Sequence, residues 1–293
     1  MLQGSLVALV TPMHADGGVD ERALAGLVEF HVEAETAGLV IAGTTGESAT
    51  LKRDEHIALI ARSVELADGR IPVFAGTGSN STAQTLDLSL AVSSLDVAGF
   101  LLVTPYYNKP TQEGLYRHFT TIADTLERPV MLYNVPGRTA VDMQPETVAR
   151  LAEHPHITSL KEASGEVARV ARLRELCGED FGLYSGDDAT TREFILAGGN
   201  GVVSVTANVA PAMMQRMCMA ALAGDAEHAA ALDKPLAGLH EKLFVEANPI
   251  PVKWALERMG LINGGVRLPL TRLSEAARPI VEQALRDAGV TLP

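Results

Sequence analysis

A lysine inside a hydrophobic stretch is the residue of this sequence best suited to covalent chemistry. Lys161 lies in the run 157–163, where alternation at period two places it on the same face as Ser159. Burial would lower the pKa of its amine and enlarge the neutral fraction. A neutral amine attacks a ketone to form a Schiff base, and the protonated imine then withdraws electrons from the adjacent carbon. The alternative is a strand-end lysine whose ammonium reaches water.

Further candidate groups follow other hydrophobic runs. Tyr133 lies near the end of one run, and its phenol can both donate and accept a proton beside an imine. Thr44 and Tyr107 add hydroxyls that can complete a proton relay. Arg138 follows a Pro-Gly turn, where its guanidinium can bind a carboxylate in a bidentate manner. Taken alone, Tyr133 also suits a packed rim residue, and Arg138 a surface ion pair.

Two glycines flank two threonines in the segment 43–46, which indicates a tight turn whose N–H groups can face an anion. The phosphate-loop pattern GxxxxGK[ST] is missing, so a carboxylate is the favoured ligand. Histidines and acidic residues do not cluster after the hydrophobic runs, and His154 and His156 precede a run instead. We therefore predict no metal and no cofactor.

These groups require a scaffold that brings the ends of several strands together. Eight β-rich runs, each followed by a helical stretch, recur along the chain at 5–11, 39–43, 71–76, 99–105, 129–135, 157–164, 181–187 and 201–207. Strands joined by helical crossovers are parallel. Eight such units favour a closed (β/α)8 TIM barrel over an open doubly wound sheet. Barrel enzymes work at the carboxyl ends of their strands, which is where the candidate groups fall.

The 293 residues exceed what one barrel needs. We predict a catalytic barrel over residues 1–224 and a C-terminal helical extension over residues 225–293. Within the extension, the patterns predict helices at 226–245, 249–260 and 271–288.

Composition excludes several classes of protein. A net charge of −12 argues against nucleic acid and against anionic membrane surfaces as partners. Two cysteines are too few for a disulfide scaffold. No apolar run approaches the length of a membrane span, and the first residues lack the pattern of a signal peptide. We expect a cytoplasmic protein.

Seven motifs in order along the chain resemble the 4-hydroxy-tetrahydrodipicolinate synthase (dihydrodipicolinate synthase) family. They are GTTGE at 43–47, VTPYYN at 103–108, YNVPGR at 133–138, LKEA at 160–163, SGDD at 185–188, VSVTAN at 203–208 and NPIPVK at 248–253. The resemblance implies a lyase that condenses pyruvate with L-aspartate 4-semialdehyde, the first committed step of diaminopimelate and lysine biosynthesis. It also implies a homotetramer built as a dimer of tight dimers.

The resemblance assigns a role to each matching residue. Lys161 forms the Schiff base with pyruvate. The proton relay comprises Tyr133, Thr44 and Tyr107, of which Tyr107 reaches in from a neighbouring subunit. Thr45 and the backbone around Gly186 and Val203 hold pyruvate, and Arg138 binds the carboxylate of the semialdehyde.

Related lysine-dependent enzymes are the main alternative, namely N-acetylneuraminate lyases and 2-keto-3-deoxy sugar acid aldolases. Arg138 in its Pro-Gly-Arg turn and the pair Tyr106-Tyr107 favour the synthase family. A non-catalytic barrel would be expected to lack Lys161 or Tyr133. A metal-dependent aldolase would require ligands at the barrel mouth.

The sequence also contains positions that match the family's inhibitory lysine pocket. The matching positions are Ser48, Ala49, Arg53, His56, Asn80, Gln84 and Tyr106. Two of them depart from the inhibited pattern, because Arg53 replaces the usual His and Gln84 the usual Glu. Arg53 adds a charge of the same sign as the ammonium of lysine, and Gln84 removes an acidic partner. We therefore predict weak or absent inhibition by lysine.

Overall fold

Eight parallel strands close into a barrel in the computed structural model, which describes residues 2–293. The strands are β1 (Gly4–Ala8), β2 (Gly38–Ile41), β3 (Val73–Gly76), β4 (Gly99–Val103), β5 (Val130–Asn134), β6 (Ile157–Glu162), β7 (Gly182–Ser185) and β8 (Gly201–Ser204). β8 pairs with β1, with Gly201 opposite Gly4, and this pairing completes the barrel. The predicted TIM barrel is confirmed. Seven strands end one to three residues before the predicted limit, because the chain turns there into loops.

Helices follow the barrel strands along the chain. They are α1 (Glu21–Glu33), α2 (Arg53–Ala67), α3 (Thr82–Val92), α4 (Gln112–Ala123), α5 (Pro136–Thr139), α6 (Pro145–Ala152), α7 (Arg169–Cys177), α8 (Thr191–Leu196) and α9 (Pro211–Leu222). Helix α1 shows why they form: Leu24, Leu27 and Val28 recur at helical spacing and are buried. None of the helices within residues 2–293 is both long and apolar enough to cross a membrane.

Four further helices make up the extension: α10 (Ala226–Asp233), α11 (Ala237–Lys242), α12 (Ile250–Arg258) and α13 (Arg278–Asp287). The predicted start of the last helix at 271 is wrong. Pro279 lacks the N–H that a helix interior requires and suits only a first turn, so α13 begins at Arg278. A tighter turn around Pro235 interrupts the predicted helix 226–245. Trp254, the only tryptophan of the chain, is buried on α12. The division at 224/225 stays a prediction.

Side chains fill the barrel interior and leave space only at one end. Leu6, Val40 and Phe74 belong to the inward-facing cluster, together with Tyr184. The hydroxyl of Tyr184 donates to the carbonyl of Leu2 at 2.7 Å, at the amino end of the strands. The amino end of the barrel interior is therefore closed by side chains, and the cavity inside the barrel opens at the carboxyl ends of the strands.

Candidate active site

A cavity of about 420 Å³ opens at the carboxyl end of the barrel strands. Six of the predicted site residues line it: Thr44, Thr45, Tyr133, Arg138, Lys161 and Gly186. They come from the loops and ends of four different strands, so only the closed barrel brings them together.

Lys161 is buried between two tyrosine-bearing strands. Its side chain enters the barrel with an exposed fraction of 5%, which excludes the alternative of an ammonium in water. The register places it opposite Tyr133 in β5 and Tyr184 in β7. Its Nζ atom lies 4.3 Å from the centroid of the Tyr133 ring. Burial lowers the pKa of Lys161 to about 8, opposed by the charge of Asp188 and assisted by that of Arg138. A substantial neutral fraction of the amine is therefore available near pH 8.

Gly186 leaves room for the stem of this lysine. A Cβ atom at position 186 would lie 2.9 Å from Cε of Lys161 and 2.6 Å from Cβ of Ala163. Such distances are shorter than van der Waals contact, so any side chain at 186 would displace the lysine. Gly186 thus leaves free the space that the stem of Lys161 occupies.

Tyr133 is placed to exchange protons above the amine. Its ring is buried, and burial raises the pKa of its phenol. The positive charge of Arg138 and a hydrogen bond with the side chain of Thr44 both act to lower that pKa. The phenol therefore remains a proton donor at neutral pH, with a hydroxyl partner for onward transfer.

Asn248, which sequence reasoning left without a role, links two of the predicted residues. Its side-chain Nδ2 donates to Oγ1 of Thr45 at 3.0 Å, and its backbone carbonyl accepts from Nη2 of Arg138 at 3.4 Å. Arg138 is exposed at the mouth of the cavity, where a guanidinium can meet an incoming carboxylate. The motif 248–253 was the available signal for Asn248. The contact itself could not be predicted, because Asn248 and Thr45 are 203 residues apart in the sequence.

Asp188, which belongs to the motif 185–188, is a second residue to which sequence reasoning assigned no role. Its Oδ2 accepts from the backbone N–H groups of Val205 and Thr206, both at 2.9 Å. Its Oδ1 is buried and makes no hydrogen bond to the described residues. Asp188 lines the same cavity as Lys161, so its negative charge favours a cation there.

The variant Asp188→Asn is expected to lower the pKa of Lys161 below about 8, because it removes the negative charge that raises this pKa. An amide oxygen can still accept the two backbone hydrogen bonds, so the change removes mainly the charge. The neutral amine would then persist at lower pH. Labelling of Lys161 by an amine-selective reagent across pH, followed by peptide mass spectrometry, measures this shift. Asp187→Asn is the matched control, and an equal midpoint in Asp188→Asn and wild type would contradict the expectation.

Two predicted residues do not line this cavity. Tyr107 projects from the loop after β4 with an exposed fraction of 89% and a φ of +74°. Val203 is buried inside the barrel, and Val205 lines the cavity instead. Within one chain, the structure therefore does not bring Tyr107 to Lys161.

A second cavity, of about 730 Å³, adjoins the first and shares Thr44 and Arg138 with it. Six positions of the candidate lysine pocket line it: Ser48, Ala49, Arg53, His56, Gln84 and Tyr106. Asn80 lies beside them and donates to the carbonyl of Tyr106 at 3.1 Å. Arg53 forms a two-pronged ion pair with Asp87, at 2.5 and 3.1 Å.

No group of three or more His, Cys, Asp or Glu side chains in residues 2–293 is arranged to hold a metal ion. The candidate site is instead built from one amine, several hydroxyls and a guanidinium. This set of groups suits imine formation, proton transfer and the binding of carboxylates.

Comparison with known proteins agrees with the fold and the motifs. Residues 1–288 match the model of the dihydrodipicolinate synthetase family. The 4-hydroxy-tetrahydrodipicolinate synthase of Methylococcus capsulatus is 58% identical over 290 residues, covering 99% of this chain and 100% of the relative. The chloride-inhibited dihydrodipicolinate synthase of Acinetobacter baumannii, solved with pyruvate, superposes with a TM-score of 0.98 at 50% identity, covering 99% and 100% of the two chains.

The fold and these relatives define a TIM-barrel lyase. The chain belongs to the dihydrodipicolinate synthetase family.

Proposed function

We propose that this protein condenses pyruvate with L-aspartate 4-semialdehyde to give 4-hydroxy-tetrahydrodipicolinate. The observation that carries the proposal is the buried Lys161 beneath Tyr133 at the floor of the cavity. The name of a relative 58% identical over the full chain supports it. The reaction commits carbon to diaminopimelate and lysine, and we infer a cytoplasmic enzyme from that biosynthetic role.

The neutral amine of Lys161 attacks the ketone carbon of pyruvate, and loss of water gives a protonated imine. The methyl carbon of the bound pyruvate then loses a proton and attacks the aldehyde carbon of the second substrate, whose oxygen takes up a proton and becomes the 4-hydroxyl group. The amino group of the second substrate then attacks the imine carbon, which closes the ring and releases the amine of Lys161, so that one water is lost overall. Tyr133 and Thr44 carry the protons, with Tyr107 supplied by a second subunit. Their hydroxyls can donate and accept in turn.

The carboxylates of the two substrates are bound separately in this proposal. Thr45 and the backbone around Gly186 and Val203 hold pyruvate, and Arg138 binds the semialdehyde. The hydrogen bond from Asn248 to Thr45 supports the first assignment by fixing the threonine hydroxyl. The exposure of Arg138 at the cavity mouth supports the second, since the aldehyde enters after pyruvate is bound.

The decisive experiment is reduction with borohydride in the presence of pyruvate. A covalent adduct should appear on Lys161, and a chelator should leave activity intact. Turnover should be fast with L-aspartate 4-semialdehyde and negligible with N-acetylmannosamine. Absence of the adduct would refute the imine mechanism, whereas an adduct with preference for N-acetylmannosamine would refute only the acceptor.

We infer that a second subunit completes each site, within a homotetramer built as a dimer of dimers. The exposed fraction of 89% at Tyr107 supports this, as do the exposed side chains of Tyr106 and Leu268. One solved relative, 41% identical with a TM-score of 0.96 over 99% of this chain and 98% of its own, is described as a monomeric variant. The assembly of this chain must therefore be measured directly.

Hybrid oligomers give that measurement. Subunits carrying Lys161→Ala and subunits carrying Tyr107→Phe should each be nearly inactive alone. Mixed by unfolding and refolding together, they should regain about a quarter of wild-type activity, because half of the dimers are hybrids and each hybrid holds one intact site. No recovery in a mixture shown to be dimeric by sedimentation would contradict a shared site.

Lysine at millimolar concentration is expected to leave activity unchanged. The carboxylate of Asp87 is already paired with Arg53, so it does not replace the acidic partner that is missing at Gln84. Burial lowers the pKa of His56 and keeps its imidazole neutral. Initial rates with and without lysine test this expectation. The double variant Arg53→His/Gln84→Glu is the matched control and should gain inhibition; strong inhibition of the wild type would overturn the prediction.

A further inference from the structure

A buried ion pair joins the threonine loop, defined as residues 43–48, to the C-terminal extension. The Glu47 carboxylate contacts the Lys253 ammonium on α12, and the two side chains are 0% and 1% exposed. The other carboxylate oxygen of Glu47 accepts from the backbone N–H of Arg267 at 3.1 Å. Both oxygens of Glu47 are therefore bound by residues of the extension.

This ion pair acts on the loop that carries two predicted site residues. Glu47 adopts a left-handed backbone conformation, with a φ of +55°, and its N–H donates to the carbonyl of Thr44 at 3.1 Å. A non-glycine residue holds this conformation only where its surroundings compensate for the strain. The extension also contacts the loop at a second point, through the hydrogen bond from Asn248 to Thr45.

The energetics favour a role in geometry over a role in stability. A buried charge without its partner is strongly destabilising, whereas an apolar pair of similar volume is often as stable as the ion pair. An ion pair nevertheless fixes the relative orientation of its two side chains, which apolar contacts do not. Removing Lys253 alone would leave the Glu47 carboxylate buried without a counter-charge, and the loop would move to expose it.

We propose that Lys253 is a positioning residue that acts through Glu47 to hold Thr44 and Thr45 in place for catalysis. The proposal rests on the function proposed above, in which Thr44 relays protons and Thr45 holds pyruvate. It predicts that a residue outside the barrel controls both turnover and the binding of pyruvate.

Steady-state kinetics of Lys253→Met test the proposal at a temperature well below its unfolding midpoint. A displacement of about 1 Å costs on the order of 10²-fold in rate, so kcat should fall about 10- to 100-fold. The KM for pyruvate should rise severalfold, and the rate of borohydride trapping with pyruvate should fall in parallel. The double variant Glu47→Gln/Lys253→Met has no unpaired charge, so it should regain stability, but it also lacks the ion pair that orients the loop, and its kcat should stay well below that of the wild type.

Asn263→Ala is the matched control. Asn263 also joins the extension to the barrel, donating to Asp20 at 2.8 Å, but it does not touch the threonine loop. Its kcat and KM should equal those of the wild type. Folded Lys253→Met with wild-type kcat and KM would overturn the proposal. If Lys253→Met does not fold, Glu47→Gln takes its place, and unchanged constants there overturn the proposal equally. Failure of the wild type to be trapped with pyruvate would refute the proposed function instead.

Discussion

Lys161→Ala is expected to abolish the pyruvate adduct and to lower kcat by at least about 10³-fold. The change removes the one amine at the cavity floor, and with it the covalent route that stabilises the carbanion. Mass spectrometry after borohydride treatment measures the adduct, and a coupled assay measures turnover. The fold should survive, because alanine removes an ammonium that burial disfavours, while β6 keeps its pairing with β5 and β7.

Lys234→Ala provides the matched control, since Lys234 is an exposed lysine of the extension. It should keep both adduct and turnover. Turnover of Lys161→Ala within tenfold of the wild type would show that another group performs the chemistry. The wild-type trapping rate should also rise with pH through about 8, as the Lys161 ammonium loses its proton.

Tyr133→Phe is expected to lower kcat by about 10²- to 10⁴-fold, the range that a general acid–base group contributes. Adduct formation with pyruvate should slow but persist, because the phenyl ring still covers Nζ of Lys161 at its present distance of 4.3 Å. The variant thus separates proton transfer from attack by the amine. Comparison of single-turnover trapping with steady-state turnover measures the two steps.

Tyr116→Phe is a suitable control, because the Tyr116 ring packs beneath Arg150 on the outside of the barrel, away from both cavities. Its kinetics should match the wild type. If Tyr133→Phe retains wild-type kcat, proton transfer must use another group, and Tyr133 would have no part in the proposed relay with Thr44.

Local periodicity predicted the barrel and the place of the candidate site at one end of it. Each strand is a short apolar run followed by a turn, so its position can be identified from neighbours in sequence. Alternation within 157–163 correctly placed Lys161 facing inward. Tyr133 was identifiable for the same reason, since it lies near the end of a strand that pairs with the strand of Lys161.

Contacts between distant parts of the chain could not be predicted. The partners Glu47 and Lys253 are 206 residues apart, and Thr45 and Asn248 are 203 apart. No local pattern encodes such a pairing, because it depends on how the extension docks on the barrel. The start of α13 was predicted too early for a different reason. The pattern before Arg278 is compatible with a helix, but the proline at 279 suits only the first turn of one.

Trp254 makes the docking of the extension visible to fluorescence. It is the only tryptophan of the chain, it is buried on α12, and it follows Lys253 directly. Its emission therefore reports the surroundings of the extension, whereas far-ultraviolet circular dichroism is dominated by the helices and strands of the barrel. Coincident denaturation curves from the two signals would identify one cooperative unit. An earlier loss of the tryptophan signal would mean that the extension detaches first, and would give the division at 224/225 a thermodynamic meaning.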